Sequence, residues 1–178
     1  MFTKQELRKE IRNRFKASST EKRKEWSQQM CNALLADDII SSAGCILAFY
    51  PLADEVDIRP LLYRYIAMGK TILLPEVISG EEMQLHVFDS ETSLETGVLG
   101  TQHPSNKVFT DYKSIEVVLV PGLAFTKEGL RLGRGKGYYD RFLPKLNNPY
   151  TRAVYFPYQL VDDNEMPVEE YDIRIKKV

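Results

Sequence analysis

The residues best suited to chemistry stand in one glycine-rich stretch of the chain. Glycine lets backbone N–H groups approach a ligand closely, while arginine and lysine form charge-assisted hydrogen bonds with phosphate oxygens. Residues 127–141 hold five basic and two acidic side chains, a local charge of +3 in a chain whose formal net charge is −1. The pattern predicts a polyphosphate-binding loop. Its cations and glycines alternate: Arg131, Gly133, Arg134, Gly135, Lys136 and Gly137.

The elements on either side of this loop would position it. Residues 117–120 are an apolar run typical of a buried strand, and Pro121-Gly122 ends that run. After the loop, residues 138–143 return to helix-like spacing. A helix N-terminus favours anions, so the predicted order of strand, loop and helix suits a phosphate ligand.

Two common phosphate-binding motifs do not fit the stretch. A Walker A loop has four residues between its first Gly and Gly-Lys, followed by Ser or Thr, whereas five residues separate Gly129 from Gly135 and Gly137 follows Lys136. The dinucleotide pattern G-x-G-x-x-G fails as well, because the glycines run as G-x-G-x-G. A solvated basic loop is the alternative interpretation. The preceding strand and the following Tyr-Tyr-Asp at 138–140 favour a binding site.

At these positions the chain resembles the 5-formyltetrahydrofolate cyclo-ligase family. The resemblance rests on Leu-Val-Pro-Gly-Leu-Ala-Phe at 119–125 and on Gly-Leu-Arg-Leu-Gly-Arg-Gly-Lys-Gly-Tyr-Tyr-Asp at 129–140. It implies a ligase of folate one-carbon metabolism that uses ATP to convert 5-formyltetrahydrofolate to 5,10-methenyltetrahydrofolate. ADP and phosphate would be released, because the family phosphorylates the formyl oxygen before N10 closes the ring.

The resemblance also implies roles in the loop. Arg134 and Lys136 are expected to be catalytic, stabilising the transferring phosphoryl group, since phosphoryl transfer depends mainly on positioning and charge neutralisation. Tyr138 and Tyr139 are expected to line the site through ring stacking or hydroxyl hydrogen bonds. The full set expected to bind ATP is Lys4, Arg8, Arg131, Gly133, Arg134, Gly135, Lys136, Gly137, Tyr138 and Tyr139.

Two members of that set come from a predicted N-terminal helix. Thr3-Lys4-Gln5-Glu6 has the capping-box pattern, so a helix should begin near residue 4. Lys4, Arg8 and Arg12 recur every four residues, beside the apolar stripe of that helix. A solvated helix face is the interpretation from spacing alone. The family's Lys-x-x-x-Arg helix contacts the nucleotide, and Lys4 and Arg8 match it.

The expected folate-binding residues are Leu52, Glu55, Arg134 and Tyr138. Residues 50–57, Tyr-Pro-Leu-Ala-Asp-Glu-Val-Asp, resemble the family's first substrate loop, in which a glutamate hydrogen-bonds the pterin. A carboxylate suits that task because a pterin edge presents adjacent N–H donors. An acidic cluster at a helix start is the alternative, with Asp57 as the N-cap of a helix over 57–68. Both interpretations are compatible.

The metal expected from the resemblance is Mg²⁺, held by Asp140 and Glu165, because hard carboxylate oxygens suit that ion. Glu165 lies in a segment with six acidic and no basic residues, 157–172, which alone is typical of a solvated acidic tail.

His103 departs from the family, which often has an acidic residue before the corresponding proline, and we predict no role for it. His86 is expected to be a surface or hydrogen-bonded strand histidine.

Composition narrows the remaining possibilities. Two cysteines among 178 residues give no disulfide framework, which predicts buried free thiols in a reducing cytosol. No apolar run approaches the ~20 residues of a membrane span, and the near-zero net charge disfavours binding to nucleic acid.

We expect a cytoplasmic monomer that binds small molecules. A folate- or nucleotide-binding regulator without turnover is the alternative function, and a nucleic-acid binder is the weaker one.

Alternation of short strands and helices predicts an α/β fold with its site at the carboxyl ends of the strands. The expected architecture is a single domain over residues 1–178, with a mostly parallel sheet flanked by helices. Strands are predicted at 45–50, 71–75, 83–88, 116–120 and 152–156, and residues 89–114 are expected to be polar and rich in turns.

Overall fold

The computed structural model describes residues 2–80, 82–170 and 172–178. The helices are α1 (Lys4–Ala17), α2 (Thr20–Leu35), α3 (Asp38–Ser42), α4 (Arg59–Ala67) and α5 (Tyr138–Phe142). The strands are β1 (Cys45–Leu47), β2 (Thr71–Val77), β3 (Met83–Phe88), β4 (Leu94–Thr96), β5 (Gln102–Pro104), β6 (Val108–Phe109), β7 (Val117–Pro121), β8 (Ala124–Phe125), β9 (Arg131–Leu132) and β10 (Tyr150–Val154).

Six strands form one mixed sheet in the order β10–β7–β1–β2–β3–β6. The first four are parallel, while β3 and β6 are antiparallel at one edge. The chain passes from β1 to β2 on one side and later places β7 on the other side of β1. The strand order therefore reverses between β1 and β7, the point at which open α/β sheets bind ligands. The expected α/β, mostly parallel sheet flanked by helices is confirmed.

Apolar side chains cover both faces of the sheet, as buried parallel strands require. On one face, α2 and α4 pack through Leu34 and Leu62 against Ile46 of β1. On the other face, α5 packs through Phe142 against Leu47. Neighbouring residues of β1 thus face opposite cores, and the sheet is a rigid base for the loops at its carboxyl ends.

Helix α1 packs outside the sheet, on the β8–β9 hairpin. Its capping box is present as expected, with Thr3 and Glu6 exchanging side-chain-to-backbone hydrogen bonds. The buried stripe of Leu7 and Ile11 packs with Leu130 and other apolar residues of the hairpin. The basic ridge bordering this stripe is consequently placed beside the chain that leaves β9.

The C-terminal segment fixes the turn of the same hairpin. The N–H of Ile175 donates to the carbonyl of Gly129 at 2.8 Å, and Arg174 Nη1 donates to the carbonyl of Glu128 at 2.9 Å. Gly129 has φ of 86°, and a Cβ there would collide with the carbonyl oxygen of Ile175. A glycine is needed at this turn for both reasons.

Some local expectations differ from the structure. The helix expected from residue 57 begins at Arg59, and its N-cap, Ile58, makes no capping hydrogen bond. Asp57 stays outside the helix because its N–H donates to Ser27 Oγ at 3.0 Å, although its carboxylate accepts from the Arg59 N–H at 3.1 Å. The polar stretch 89–114 is not all turn, since it contains β4, β5 and β6.

Both cysteines are buried free thiols, as expected. Burial raises the pKa of Cys31 to about 11 and raises the pKa of Cys45 as well, so neither favours the reactive thiolate at neutral pH. Among the described residues, no helix has both the length and the apolar character needed to cross a membrane.

Candidate functional site

The main pocket lies where β1, β2 and β7 end and the strand order reverses. Its polar lining comes from three separate segments of the chain: Glu55, Thr101, Gln102, Arg131, Arg134 and Lys136. Its apolar lining includes two tyrosines from the start of α5: Phe49, Leu52, Val77, Met83, Tyr138 and Tyr139. A concave, partly aromatic pocket with a few convergent charges is typical of a small-molecule site.

Glu55 and Arg134 meet across this pocket. Arg134 Nη2 lies 3.1 Å from Glu55 Oε1. The same guanidinium donates two hydrogen bonds to the Asp54 carboxylate, of 2.5 and 3.1 Å. The other oxygen of Glu55 accepts from the Leu52 N–H at 2.9 Å. Burial raises the pKa of Glu55, and Arg134 offsets this only in part. The carboxylate is therefore held in an environment that does not fully replace its hydration.

Arg131 forms the floor of the pocket. Its side chain is 7% exposed, its Nε donates to the Pro121 carbonyl at 2.9 Å, and its Nη1 lies 3.3 Å from Asp140. The guanidinium also stacks over Tyr139 at 5.2 Å from the ring centre. Among the described residues, the buried Tyr139 hydroxyl has no hydrogen-bond partner. An unpaired buried hydroxyl on a pocket wall is suited to a ligand atom.

The glycine-rich loop, residues 133–137, connects this floor to α5. Gly137 is the N-cap of α5 with φ of 65°, a left-handed conformation that glycine adopts without strain. The exposed Lys136 precedes it and lines the pocket. Helix α5 has only five residues, so the anion-favouring field expected from its N-terminus is weak, and the loop cations supply the positive charge.

The two predicted nucleotide-binding residues of α1 differ in their surroundings. Arg8 Nε donates to the carbonyl of Gly133 at 3.0 Å, and its guanidinium lies beside Gly135. Lys4 instead donates to both carboxylate oxygens of Asp172 at 2.8 Å and pairs with Glu169 at 3.0 Å. Arg8 therefore stabilises the glycine-rich loop by a hydrogen bond to its backbone. The charge of Lys4 is compensated by carboxylates of the C-terminal segment.

The two expected metal ligands lie in different surroundings. Asp140 pairs with Arg131, whereas Glu165 belongs to a turn in which its Oε2 accepts from the Asp162 N–H at 3.1 Å. Glu165 lines a second depression with Phe2, Glu6 and Asn164. Within the described ranges, no group of three or more His, Cys, Asp or Glu residues is arranged to hold a metal ion.

The structure thus brings most of the expected site residues to one pocket. They are Leu52, Glu55, Arg131, Gly133, Arg134, Lys136, Gly137, Tyr138 and Tyr139. Arg8, Gly135 and Asp140 lie next to that set, whereas Lys4 and Glu165 contact other groups.

Sequence reasoning missed three polar residues of this region. Asp54 adjoins Glu55 in the chain, and this adjacency was the available signal for its contact with Arg134. Thr101 and Gln102 reach the pocket from residues 100–104, which match the family's Gly-x-x-x-Pro-like segment near the folate, and this match was the available signal.

Fold and site together define an α/β protein with a small-molecule pocket and a cationic glycine-rich loop at a sheet switch point. A model of the 5-formyltetrahydrofolate cyclo-ligase family matches residues 1–178. The chain belongs to this family, and the expectation from the motif is confirmed.

Individual relatives agree with that assignment. The chain is 28% identical to mouse 5-formyltetrahydrofolate cyclo-ligase, with 97% of this chain and 90% of the mouse protein covered. It is 27% identical to the protein of the same name from Escherichia coli strain K12, with 94% of each chain covered. The solved structure of Aquifex aeolicus 5,10-methenyltetrahydrofolate synthetase superimposes with a TM-score of 0.84 at 28% identity, covering 98% of this chain and 87% of that one.

Proposed function

We propose that this protein uses ATP to convert 5-formyltetrahydrofolate to 5,10-methenyltetrahydrofolate, releasing ADP and phosphate. The observation that carries the proposal is the convergence of Glu55, Arg134 and Lys136 on one pocket that is otherwise lined by aromatic and aliphatic side chains. Such a pocket offers a carboxylate for a pterin edge, a surface for its rings and two cations for a phosphoryl group.

On the folate side, Glu55 accepts hydrogen bonds from the pterin and Leu52 packs on it. Glu55 is paired with Arg134 in the structure, so the pterin donors replace part of that contact when substrate binds. Asp54 retains Arg134 through its two hydrogen bonds during this exchange. The Tyr139 hydroxyl, which lacks a partner among the described residues, donates to the bound substrate, and Tyr138 supplies a ring beside it.

On the nucleotide side, the glycine-rich loop and its cations hold the phosphates. Lys136 and Arg134 stabilise the charge on the transferring phosphoryl group, since both line the pocket. Arg131 orders the floor, and Arg8 braces the loop from α1. Lys4 contributes to nucleotide binding when its pairs with Asp172 and Glu169 are exchanged for phosphate oxygens.

The chemistry proceeds in two displacements. The formyl oxygen attacks the γ-phosphorus while the bond to the β–γ bridging oxygen breaks, and ADP leaves. N10 then attacks the formyl carbon, loses its proton, and phosphate departs as the carbon–oxygen bond breaks. Phosphorylation is needed because the amide-like formyl oxygen is a poor leaving group. The protein positions the reacting atoms and neutralises charge.

We propose Mg²⁺ as the metal that accompanies ATP, held by Asp140 with help from Glu165. A single carboxylate beside the pocket is enough in kind, because Mg²⁺ usually takes one or two carboxylates together with phosphate oxygens and water, while Glu165 lines the separate depression. Asp140 is the better placed of the two, since it contacts the pocket-floor residue Arg131. When bound, the ion neutralises charge on the phosphate oxygens.

We further propose that the chain works as a cytoplasmic monomer, as one domain over residues 1–178, without nucleic-acid or membrane partners. The formal net charge of −1 supports the absence of bulk attraction to polyanions. Contacts of α1 and of the C-terminal segment with the β8–β9 hairpin support a single folding unit. Sedimentation of the purified protein tests the monomer.

The direct test compares a complete reaction with three reactions that each omit one component. Purified protein is incubated with 5-formyltetrahydrofolate, ATP and Mg²⁺, and methenyltetrahydrofolate is followed by its near-ultraviolet absorbance. A rise that requires all three components supports the proposal. Folded protein that binds ATP and the folate but gives a flat trace would instead be a regulator without turnover.

A further inference from the structure

Two neighbouring carboxylates of one turn share the charge of Arg134. The Glu55 N–H donates to the Leu52 carbonyl at 3.0 Å, which closes a turn that carries both Asp54 and Glu55. Arg134 donates to the side chains of both residues from the other side of the pocket. One positive charge is therefore divided between two negative charges.

The two carboxylates occupy different edges of the guanidinium. Asp54 accepts from Nη1 and Nη2 at 3.1 and 2.5 Å, whereas Glu55 Oε1 accepts from Nε and Nη2 at 3.4 and 3.1 Å. These are the two edges through which an arginine binds a phosphate group with a pair of hydrogen bonds. Arg134 can therefore offer a whole edge to a phosphate only after one of the two carboxylates has moved away.

Glu55 cannot keep its full contact with Arg134 while it binds a pterin edge. A carboxylate oxygen has about two lone-pair sites, and Oε1 of Glu55 uses both on Arg134. Oε2 accepts from the Leu52 N–H at 2.9 Å. Two adjacent N–H donors of a pterin need both oxygens, so at least one hydrogen bond between Oε1 and Arg134 must be given up.

Asp54 is not affected in this way. Among the described residues, Glu55 lines the pocket and Asp54 does not. The Asp54 side chain is also more exposed, at 31% against 10% for Glu55. A ligand in the pocket therefore competes with Arg134 for Glu55 and leaves the hydrogen bonds from Nη1 and Nη2 to Asp54 in place.

We propose that Arg134 couples the binding of the two substrates. Folate binding at Glu55 frees the Nε–Nη2 edge of Arg134 for a phosphate oxygen of ATP, and Asp54 is the positioning residue that keeps the guanidinium in place during this exchange. The inference rests on the proposed function, which assigns the pterin to Glu55 and a phosphoryl group to Arg134. Because coupling between two binding sites is reciprocal, ATP tightens folate binding by the same factor.

Calorimetric titration measures this coupling in the wild-type protein. The probes are 5-formyltetrahydrofolate and the non-hydrolysable β,γ-imido analogue of ATP with Mg²⁺, so that no turnover disturbs the binding. Saturating folate should lower the Kd of the analogue about tenfold, and the analogue should lower the Kd of the folate by the same factor.

Two substitutions that each remove one negative charge separate this account from direct contact between the two ligands. Glu55→Gln keeps the shape of the side chain but removes the charge that competes with phosphate. The analogue should then bind more tightly without folate, and saturating folate should add less than about twofold. Asp54→Asn makes the same change of charge one residue away, and because Glu55 still pairs with Arg134, the coupling should remain about tenfold.

Steady-state kinetics test the positioning role of Asp54. Asp54→Asn should lower kcat about tenfold with the KM for 5-formyltetrahydrofolate unchanged, because Arg134 is less well held beside the transferring phosphoryl group. Glu91→Gln, at an exposed position outside the pocket lining, is the matched control and should behave as wild type.

The Nε–H signal of Arg134 in a proton–nitrogen NMR spectrum reports the exchange without nucleotide. The signal is assigned by its loss in Arg134→Lys. Adding 5-formyltetrahydrofolate to the wild-type protein should shift it, because Nε loses its hydrogen bond to Glu55. An unchanged signal with folate bound would overturn the proposal, even if Glu55→Gln bound folate too weakly for the calorimetric comparison.

The binding data also separate failure of the coupling from failure of the proposed function. Equal affinities for the analogue with and without folate, or a tenfold coupling that survives in Glu55→Gln, would overturn the coupling while turnover continued. A wild-type protein that does not bind 5-formyltetrahydrofolate would contradict the proposed function, and the coupling that rests on it would fall as well.

Discussion

The glycine-rich loop and the segment from Leu94 to Pro104, called the flap, line the same pocket but are held in place by different means. The loop is fixed by charged side chains, with Arg8 on the Gly133 carbonyl and Arg134 paired with Asp54 and Glu55. The flap is held by packing of Leu94 against the core and by hydrogen bonds within it, from Gln102 to Thr96 and from Thr101 to the Val98 carbonyl. We therefore expect the loop to act on the phosphates and the flap to act on the folate. Substitutions in the loop should reduce kcat, and substitutions in the flap should raise the KM for 5-formyltetrahydrofolate.

The largest effect is expected for Lys136→Ala. Removing a cation that stabilises the transferring phosphoryl group should lower kcat about 10³-fold, with little change in the KM for the folate. The absorbance assay measures both constants. Lys127→Ala, which removes an exposed cation from the β8–β9 turn, should be near wild type. Full turnover by Lys136→Ala would show that Lys136 does not stabilise the transferring phosphoryl group.

Gly129→Ala tests the backbone constraints of the β8–β9 turn, which precedes the glycine-rich loop. The added Cβ would meet the Ile175 carbonyl in a left-handed conformation, and the free energy of unfolding should fall by about 3 kcal/mol. Gly80→Ala is the matched control, since a Cβ there has no neighbour within 4 Å among the described residues. Equal urea midpoints for the two variants would mean that the C-terminal segment does not constrain the hairpin.

The carboxylates proposed for Mg²⁺ should differ in importance. Asp140→Asn should raise the Mg²⁺ concentration for half-maximal activity about tenfold or more, because it removes the ligand nearest the pocket floor. Glu165→Gln should have a smaller effect, and exposed Asp163→Asn none. Identical Mg²⁺ titrations for Asp140→Asn and wild type would exclude Asp140 as a ligand.

Gln102→Ala tests the role of the flap directly. Loss of its pocket contact and of its hydrogen bond to Thr96 should raise the KM for 5-formyltetrahydrofolate about fivefold while kcat stays near wild type. Gln28→Ala on the exposed face of α2 provides the control. A loss confined to kcat would place the flap with the catalytic machinery and contradict the division between the two regions.

The smallest effect concerns Glu55 and stability. Burial raises its pKa, so the folded state binds the proton more tightly, and stability from this group is lost as pH rises through the folded pKa. Glu55→Gln removes this loss. Between about pH 4 and about pH 7, the variant should gain stability relative to wild type, by less than about 1 kcal/mol. Urea unfolding measures the difference in free energy of unfolding between the variant and wild type. A difference that becomes smaller as the pH rises would contradict a raised pKa for Glu55.

The loop was predictable from sequence because its glycines and cations are consecutive. The strand Val117–Pro121 and the start of α1 at Lys4 were predictable too, from an apolar run and a capping box. The family resemblance placed Lys4 among the expected nucleotide ligands. Neither the resemblance nor the helical spacing revealed the pairs of Lys4 with Asp172 and Glu169, which depend on where the C-terminal segment packs.

The family resemblance pointed to residues 100–104 as a segment near the folate but assigned no role within it. The contact of His103 with Glu76 was not predictable, because it forms only through the antiparallel register of β2 and β3 and the return of β5. Asp54 was missed for a related reason, because its partner Arg134 lies on the other side of the pocket. Contacts that depend on tertiary packing carry no local pattern.

The most direct test of the central claim follows one oxygen atom. With 5-formyltetrahydrofolate labelled with ¹⁸O in the formyl group, phosphorylation of that oxygen predicts ¹⁸O in the released inorganic phosphate, detected by mass spectrometry. The label should match product formation one for one. Product formed together with unlabelled phosphate would contradict phosphorylation of the formyl oxygen in this pocket.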